Sequence, residues 1–284
     1  MTALDKLKEV SAILKTAGIE DAPKEAEILI TETLGIDRTS LYSGRYKITE
    51  DDSRRIDSLL QRRLKREPLQ YIFGHVEFLG LRFNIGRGVL IPRPETEMLA
   101  EEAIRILKSK KPSGANILDL CTGSGCIATT IARHLPESFV YGVDISEAAL
   151  SYAEENALLN DVRNVRFLRG DLYEPLKIGP EIRFDMIISN PPYIRSEDIK
   201  SLQPEIRDWE PLEALNGGED GLEYYRRIIG GCRDFLMDKG EVLLEVGDSR
   251  GVIDIARSYN MRVLSVIKDL SGIDRVLRLS LNHS

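Results

Sequence analysis

Two short stretches of this chain hold groups suited to catalysis and ligand binding. The first is Asn190-Pro191-Pro192-Tyr193, directly after the run Phe184-Asp185-Met186-Ile187-Ile188-Ser189. An NH2 group conjugated to a carbonyl or an aromatic ring is a poor nucleophile because its lone pair is delocalised, and its two protons need acceptors. The Asn190 side-chain oxygen and the Pro191 carbonyl can supply both. Accepting both N–H bonds turns the lone pair toward an electrophile, a benefit that is chiefly positional and requires no strong general base. Two prolines stop the strand and hold the loop rigid before a substrate arrives. Tyr193 can stack on a planar amide or base. Asn190, Pro191 and Tyr193 are therefore the candidate catalytic residues, and with Pro192 they form the candidate substrate site. The plainer alternative is an ordinary surface turn, which Asn and Pro favour.

The second stretch is Ile117-Leu118-Asp119-Leu120-Cys121-Thr122-Gly123-Ser124-Gly125-Cys126-Ile127-Ala128, an apolar strand, a glycine-rich turn and the start of a helix. Gly123 and Gly125 remove Cβ atoms where the backbone bends and where a nucleotide-like ligand would approach it. Asp144, nineteen residues after Gly125, can accept both hydroxyls of a ribose. Gly123-x-Gly125-x-x-Ala128 followed by an acid also satisfies the dinucleotide fingerprint, so a dehydrogenase and a merely tight turn both stay open. Asp119 could meet a ligand's ammonium, which NAD lacks, and this favours S-adenosylmethionine.

Both stretches depend on the elements around them. Apolar residues at helical spacing in the first 70 positions, among them Leu4, Leu7, Val10, Leu14, Leu29, Ile30, Ile56 and Leu60, predict four or five short packed helices. Residues 76–91 change to β-type composition with glycines at turn spacing, predicting a hairpin. Beyond residue 92, β-branched runs alternate with helical stretches, the rhythm of βαβ units. Strands are expected at 116–121, 139–144, 165–169, 184–190, 240–246, 262–267 and 275–281, the last two antiparallel at the sheet's edge. The expected fold is α/β: a doubly wound seven-stranded Rossmann-like sheet over 93–284, a helical domain over 1–74, and a connecting β-hairpin over 75–92.

Composition excludes several functions. The chain has 284 residues, 42% hydrophobic and 30% charged, and no run approaches the ~18 apolar residues of a membrane span. The first residues lack the apolar core of a secretory signal, so a cytoplasmic protein is expected. Three cysteines cannot form a disulfide framework, and His75, His134 and His283 are isolated from one another, so no metal is expected. The net charge of -7 arises after residue 74: residues 1–74 hold 13 basic and 13 acidic side chains, leaving 26 against 33. Neither part is a general polyanion binder. Arg54, Arg55, Arg62, Arg63, Lys65 and Arg66 nevertheless crowd one predicted helix, either as a solvated face or as a stripe for phosphates or an acidic protein surface.

Asn190-Pro191-Pro192-Tyr193 is shared by amino-methylating S-adenosylmethionine enzymes, including adenine-N6 methyltransferases of DNA or RNA. Ile91-Pro92-Arg93-Pro94-Glu95-Thr96-Glu97 and Trp209-Glu210-Pro211-Leu212-Glu213-Ala214-Leu215-Asn216-Gly217-Gly218-Glu219-Asp220-Gly221-Leu222 separate these groups. With them the chain resembles the release factor glutamine methyltransferase family (PrmC/HemK), over nearly its whole length. The resemblance implies methylation of the amide nitrogen (N5) of the glutamine in the Gly-Gly-Gln loop of peptide chain release factors. It implies that Cys121, Thr122, Gly123, Ser124, Gly125, Asp144, Asp171, Leu172 and Asn190 bind S-adenosylmethionine, and that the helical domain docks the release factor. A monomer is expected, and no nucleic-acid substrate, the latter because the acidic catalytic domain lacks a cationic track for phosphates. The alternatives are an adenine-N6 methyltransferase and a catalytically idle binding subunit. Two positions depart from the family pattern: Cys121 stands where glycine is usual, and Leu172 where an aromatic often lies beside the adenine, leaving Tyr173 one position off.

Overall fold

The computed structural model describes residues 1–110, 113–178 and 181–282; His283, named above, lies outside the described residues. The chain divides into two compact units, Met1–Gly74 with Pro204–Trp209, and His75–Gln203 with Glu210–Ser284.

The first unit holds α1 (Ala3–Thr16), α2 (Ala22–Leu34), α3 (Arg38–Tyr42), α4 (Glu50–Leu64) and α5 (Leu69–Phe73). Capping boxes start α1 and α4: Thr2 and Thr49 each accept the N–H of the residue three on, Asp5 and Asp52, whose carboxylates accept in return. Such a cap contributes about 1 kcal/mol. The helices bury Leu7, Val10, Leu14, Leu29, Ile30, Ile56 and Leu60 in one core, each worth about 1.5–3 kcal/mol when fully buried.

Most of the arginine stripe is committed to partners inside this unit. Arg63, 3% exposed, pairs with Glu25 at 2.5 Å and with Glu205 at 2.7 Å. Arg62 pairs with Glu67 at 2.6 Å, Arg66 with Glu205 at 2.9 Å, and Arg55 donates to the Thr33 carbonyl at 3.2 Å. Arg54 and Arg55 are the exposed members among the five arginines, and Arg54 faces Asp51 at 3.5 Å. Charge-reversal of Arg63 would break a buried pair and test folding rather than docking, because removing one partner of such a pair costs about 3–5 kcal/mol.

The second unit begins with the antiparallel hairpin β1 (His75–Phe78) and β2 (Leu81–Asn84). The hairpin is shorter than the one predicted to residue 91. Residues 85–93 form a turn whose Ile91 N–H goes to the Glu210 carboxylate at 3.2 Å instead of to a ladder. Then come α6 (Pro94–Lys110), β3 (Asn116–Leu120), α7 (Cys126–His134), β4 (Phe139–Asp144), α8 (Glu147–Leu159), β5 (Val165–Arg169) and β6 (Phe184–Ser189). After α9 (Pro204–Arg207), which belongs to the first unit, follow α10 (Glu223–Gly231), β7 (Leu236–Glu245), α11 (Ser249–Ser258), β8 (Met261–Lys268) and β9 (Asp274–Leu281).

The sheet order is β5-β4-β3-β6-β7-β9-β8. β5, β4, β3, β6 and β7 are parallel, while β9 runs antiparallel between β7 and β8, as the short connection predicts. β7 starts four residues before its predicted Gly240: Leu236 pairs with Phe184, and the register then shifts before Glu241 pairs with Met186, so Asp238, Lys239 and Gly240, which carry little strand preference, fall in the irregular stretch between them. The chain winds from β3 outward to β5 and then crosses to β6 on the other side of β3. This switch point opens a crevice at the carboxyl ends of β3 and β6, where ligands bind in open α/β sheets. Among the described residues no helix is long and apolar enough to cross a membrane.

Candidate active site

A cavity occupies that crevice. Its lining includes Cys121, Thr122, Gly123 and Ser124 from the turn after β3, Asp144 at the end of β4, Asp171 and Leu172 after β5, and Asn190 and Pro192 after β6. Eight of the nine residues expected to bind the cofactor are thus brought together. Gly125 is the exception, and the turn shows why its two glycines differ. At Gly123, φ is +56° and a Cβ would meet nothing within 4 Å, so the backbone there is bare toward the cavity. At Gly125, φ is +74° and a Cβ would lie 2.9 Å from that of Ala153 and 3.1 Å from the Phe167 ring. Gly125 therefore lets α7 begin against its neighbours and does not line the cavity.

The turn is tied to Asp144. The Gly123 N–H donates to Asp144 Oδ2 at 2.8 Å and the Ser146 N–H to Oδ1 at 2.9 Å, which aims the carboxylate. Burial raises the Asp144 pKa, while these N–H groups oppose the rise. Each oxygen keeps a lone pair for a ligand hydroxyl. Deeper, Asp119 is fully buried, and its Oδ2 accepts from the Thr122 hydroxyl at 2.5 Å. Its Oδ1 has no close hydrogen-bond donor among the described residues, the Ala128 N–H being a weaker neighbour of the carboxylate. Burial pushes the Asp119 pKa up to about 7, against the opposing pull of the Thr122 hydroxyl and the Ala128 N–H. Asp119 itself does not line the cavity.

Both departures from the family pattern sit in left-handed backbone, Cys121 at φ +59° and Leu172 at φ +51°. A side chain there costs on the order of 1–2 kcal/mol, so a glycine-like conformation is imposed on Cys121 by its surroundings. Burial pushes the Cys121 thiol up, which leaves it unreactive. Tyr173 is a core residue, stacked on Phe235 at 4.8 Å with its hydroxyl on the Ile228 carbonyl at 2.8 Å. Among the described residues the aromatic that does line the cavity is Tyr224 of α10. No sequence signal marks it, since helical position alone selects it. The Asp171 carboxylate accepts from Arg227 at 2.6 Å, and this guanidinium lies 5.7 Å from the Tyr224 ring centre.

On the other side, Asn190 donates through Nδ2 to Thr96 Oγ1 at 3.1 Å. Thr96 donates to Glu245 Oε2 at 2.7 Å. Pro191 and Tyr193 do not line the cavity. The Tyr193 ring lies against Gly247, where a Cβ would come within 2.7 Å of it, and its hydroxyl is 3.5 Å from Glu245 Oε1. Burial pushes its pKa up to about 12. The backbone of the tetrapeptide is braced by the glycine loop: a Cβ on Gly217 would lie 2.7 Å from Tyr193 Cα and 2.9 Å from the Pro192 carbonyl oxygen. The Gly217 N–H donates to the Ile194 carbonyl at 2.8 Å and the Ile194 N–H to that of Leu215 at 3.0 Å.

Arg93, Glu95 and Glu97, which the sequence offers without roles, all serve the protein itself. Arg93 pairs with the buried Glu210, Glu97 accepts the Leu79 N–H at 2.9 Å, and Glu95 faces Arg275 at 3.7 Å. Val89, Leu90, Thr96, Glu213 and Ala214 also line the cavity, and sequence reasoning does not assign them there. Thr96, Glu213 and Ala214 lie inside the two segments that carry the family resemblance, so a signal exists at these positions without a role attached.

A family profile described as PrmC N-terminal domain matches residues 5–74, and one described as methyltransferase small domain matches residues 98–205. The chain is 46% identical over 286 residues, covering 100% of both proteins, to the release factor glutamine methyltransferase of Thermodesulfovibrio yellowstonii. It is 41% identical over 267 residues to the protein of the same name from Geobacter sulfurreducens, covering 93% of this chain and 91% of that one. A T. thermophilus 16S rRNA methyltransferase solved with AdoMet and guanosine superposes with a TM-score of 0.51 at 18% identity, over 73% of this chain and 50% of that one. At that identity the likeness speaks of the fold alone.

Proposed function

The chain belongs to the release factor glutamine methyltransferase family, and from that membership we propose how its own residues methylate the side-chain amide nitrogen of a release factor glutamine. When bound, S-adenosylmethionine supplies a methyl group activated by a sulfonium. The residues present fit it: Gly123 leaves bare backbone and Asp144 offers a carboxylate suited to ribose hydroxyls. Leu172 and Tyr224 offer apolar contact for an adenine.

The observation that carries the reading is that Asn190 and Pro192 share this cavity with the glycine turn and Asp144. Because Thr96 takes the Asn190 NH2 group, the Asn190 carbonyl oxygen is left as an acceptor. That oxygen and the Pro191 carbonyl hold the two protons of the substrate amide, so that its lone pair faces the methyl group. As the new N–C bond forms, the bond between the methyl group and the sulfonium sulfur would break, leaving a neutral thioether, and one of the two amide protons leaves for solvent. Tyr193 serves this site from behind, packing against Gly247 and the end of β7. The helical unit is the release factor's docking surface in this reading, and the enzyme works as a monomer in the cytoplasm.

The test is mass spectrometry of a purified bacterial release factor after incubation with this protein and S-adenosylmethionine, with peptide mapping of the Gly-Gly-Gln segment. One methyl mass on that glutamine is expected. A methyl group on adenine, together with a salt-sensitive nucleic-acid complex, would replace the proposed acceptor.

A further inference from the structure

We infer that Thr96 and Glu245 form a hydrogen-bond relay that sets the direction of the Asn190 amide, making both of them positioning residues for the methyl acceptor. The inference rests on the function proposed above and concerns two residues whose part in it that function leaves open. An asparagine amide can enter a site in two orientations, presenting either an acceptor oxygen or a donor NH2. Only the oxygen can accept from a glutamine NH2; the flipped form would set donor against donor.

Three links decide the orientation. Thr96 is 2% exposed and Glu245 is 3% exposed, so neither polar group can turn to water. The Thr96 hydroxyl has one proton, and it goes to Glu245 Oε2 at 2.7 Å. Toward Asn190, Thr96 can then only accept, and it does so from Nδ2 at 3.1 Å. The acceptor face of Asn190 is thereby turned away from Thr96. Glu245 is itself anchored at the end of β7, where Tyr225 donates to its main-chain carbonyl at 2.8 Å.

The relay works in this direction only while Glu245 is an acceptor. A neutral Glu245 can donate to Thr96, and Thr96 can then donate to the Asn190 oxygen, reversing the amide. The groups that face Glu245 are Glu95 of α6, Cys126 of α7, Tyr193 after β6, Tyr225 of α10 and Arg275 of β9. Burial is the largest influence, followed by the Thr96 bond that opposes it, and the net result is a pKa up to about 7. Lowering the pH through that value should therefore reduce turnover.

The test is kcat against pH with release factor as substrate, joined to the side-chain amide NMR signals of Asn190 without substrate. Thr96→Val should lower kcat by about 10- to 100-fold, the scale of a misplaced reacting group, with cofactor Kd and release factor KM within about twofold. Thr96→Ser, which keeps the hydroxyl, should return kcat to within about threefold. Glu245→Gln should abolish the acid-side loss of kcat, since nothing titrates there. The Asn190 amide signals should titrate with Glu245 in the native enzyme and shift in Thr96→Val. A Thr96→Val enzyme with native kcat, native pH profile and unshifted amide signals overturns the relay and leaves glutamine methylation standing. Absence of glutamine methylation by the native enzyme overturns the function, and the amide signals still decide the relay.

Discussion

The two sides of the cavity are built in opposite ways. The proposed cofactor side is one turn and the end of the next strand: residues 121–124 and Asp144 supply its backbone, its carboxylate and their mutual hydrogen bond. The acceptor side is assembled from four remote stretches, with Thr96 in the first turn of α6, Asn190 after β6, Gly217 bracing the loop and Glu245 ending β7. The first side is held by local backbone geometry, the second by side chains that must each find a distant partner. Defects on the cofactor side should therefore weaken binding, and defects on the acceptor side should slow turnover with the cofactor still bound.

The largest expected effect is at Asn190. Asn190→Ala should lower kcat by about 100-fold or more, with cofactor affinity largely retained, as isothermal titration beside single-turnover kinetics would show. A variant with normal turnover removes amide orientation from the mechanism. Gly217→Ala should come next, at about 10- to 100-fold in kcat, because its Cβ would press within 2.7 Å of the Tyr193 backbone. Its melting temperature separates a displaced tetrapeptide from a damaged fold.

Asp144→Ala should reverse the pattern, weakening S-adenosylmethionine by about 1–3 kcal/mol, the cost of a lost charge-assisted pair. Turnover at saturating cofactor should stay close to native. If it collapsed as in Asn190→Ala, the two sides would not be separable.

Asp119 and Glu245 yield a pH test of the ligand-free protein. Both pKa values are raised to about 7 by burial, so the neutral forms favour folding. That stability is fully present below the unfolded-state values and is lost as pH rises through about 7. Thermal unfolding should thus give a lower Tm at about pH 8 than at about pH 5.5. The smallest effect is expected for Cys121→Gly. It relieves the left-handed backbone but adds unfolded-state entropy, so a gain of at most about 1 kcal/mol follows.

Much of the cofactor side is legible in the amino-acid order. Gly123, Asp144 and the strands that carry them lie close together along the chain, and apolar runs ending in a glycine turn or an aspartate mark them. Legibility fails where one residue type serves two ends. Gly125 has the same type and setting as Gly123, yet its missing Cβ makes room for Ala153 and Phe167. The arginines of α4 have the spacing of a surface stripe, yet Arg63 is buried between Glu25 and Glu205, the latter 142 residues away in the chain. Tyr193 has a ring suited to stacking on a substrate, and its contact with Gly247 at the end of β7 is one that no local pattern announces.

Hydrophobic period, glycine φ freedom and proline geometry act over a few residues. The elements, the parallel sheet and the positions of the glycine turn and the Asn-Pro-Pro-Tyr loop therefore follow from the amino-acid order. The facing of the Asn190 amide and the choice of tyrosine that meets the cavity emerge only in the folded chain. They depend on hydrogen bonds and packing between stretches tens to more than a hundred residues apart, such as Thr96 with Glu245 and Tyr173 with Phe235. No local pattern encodes them.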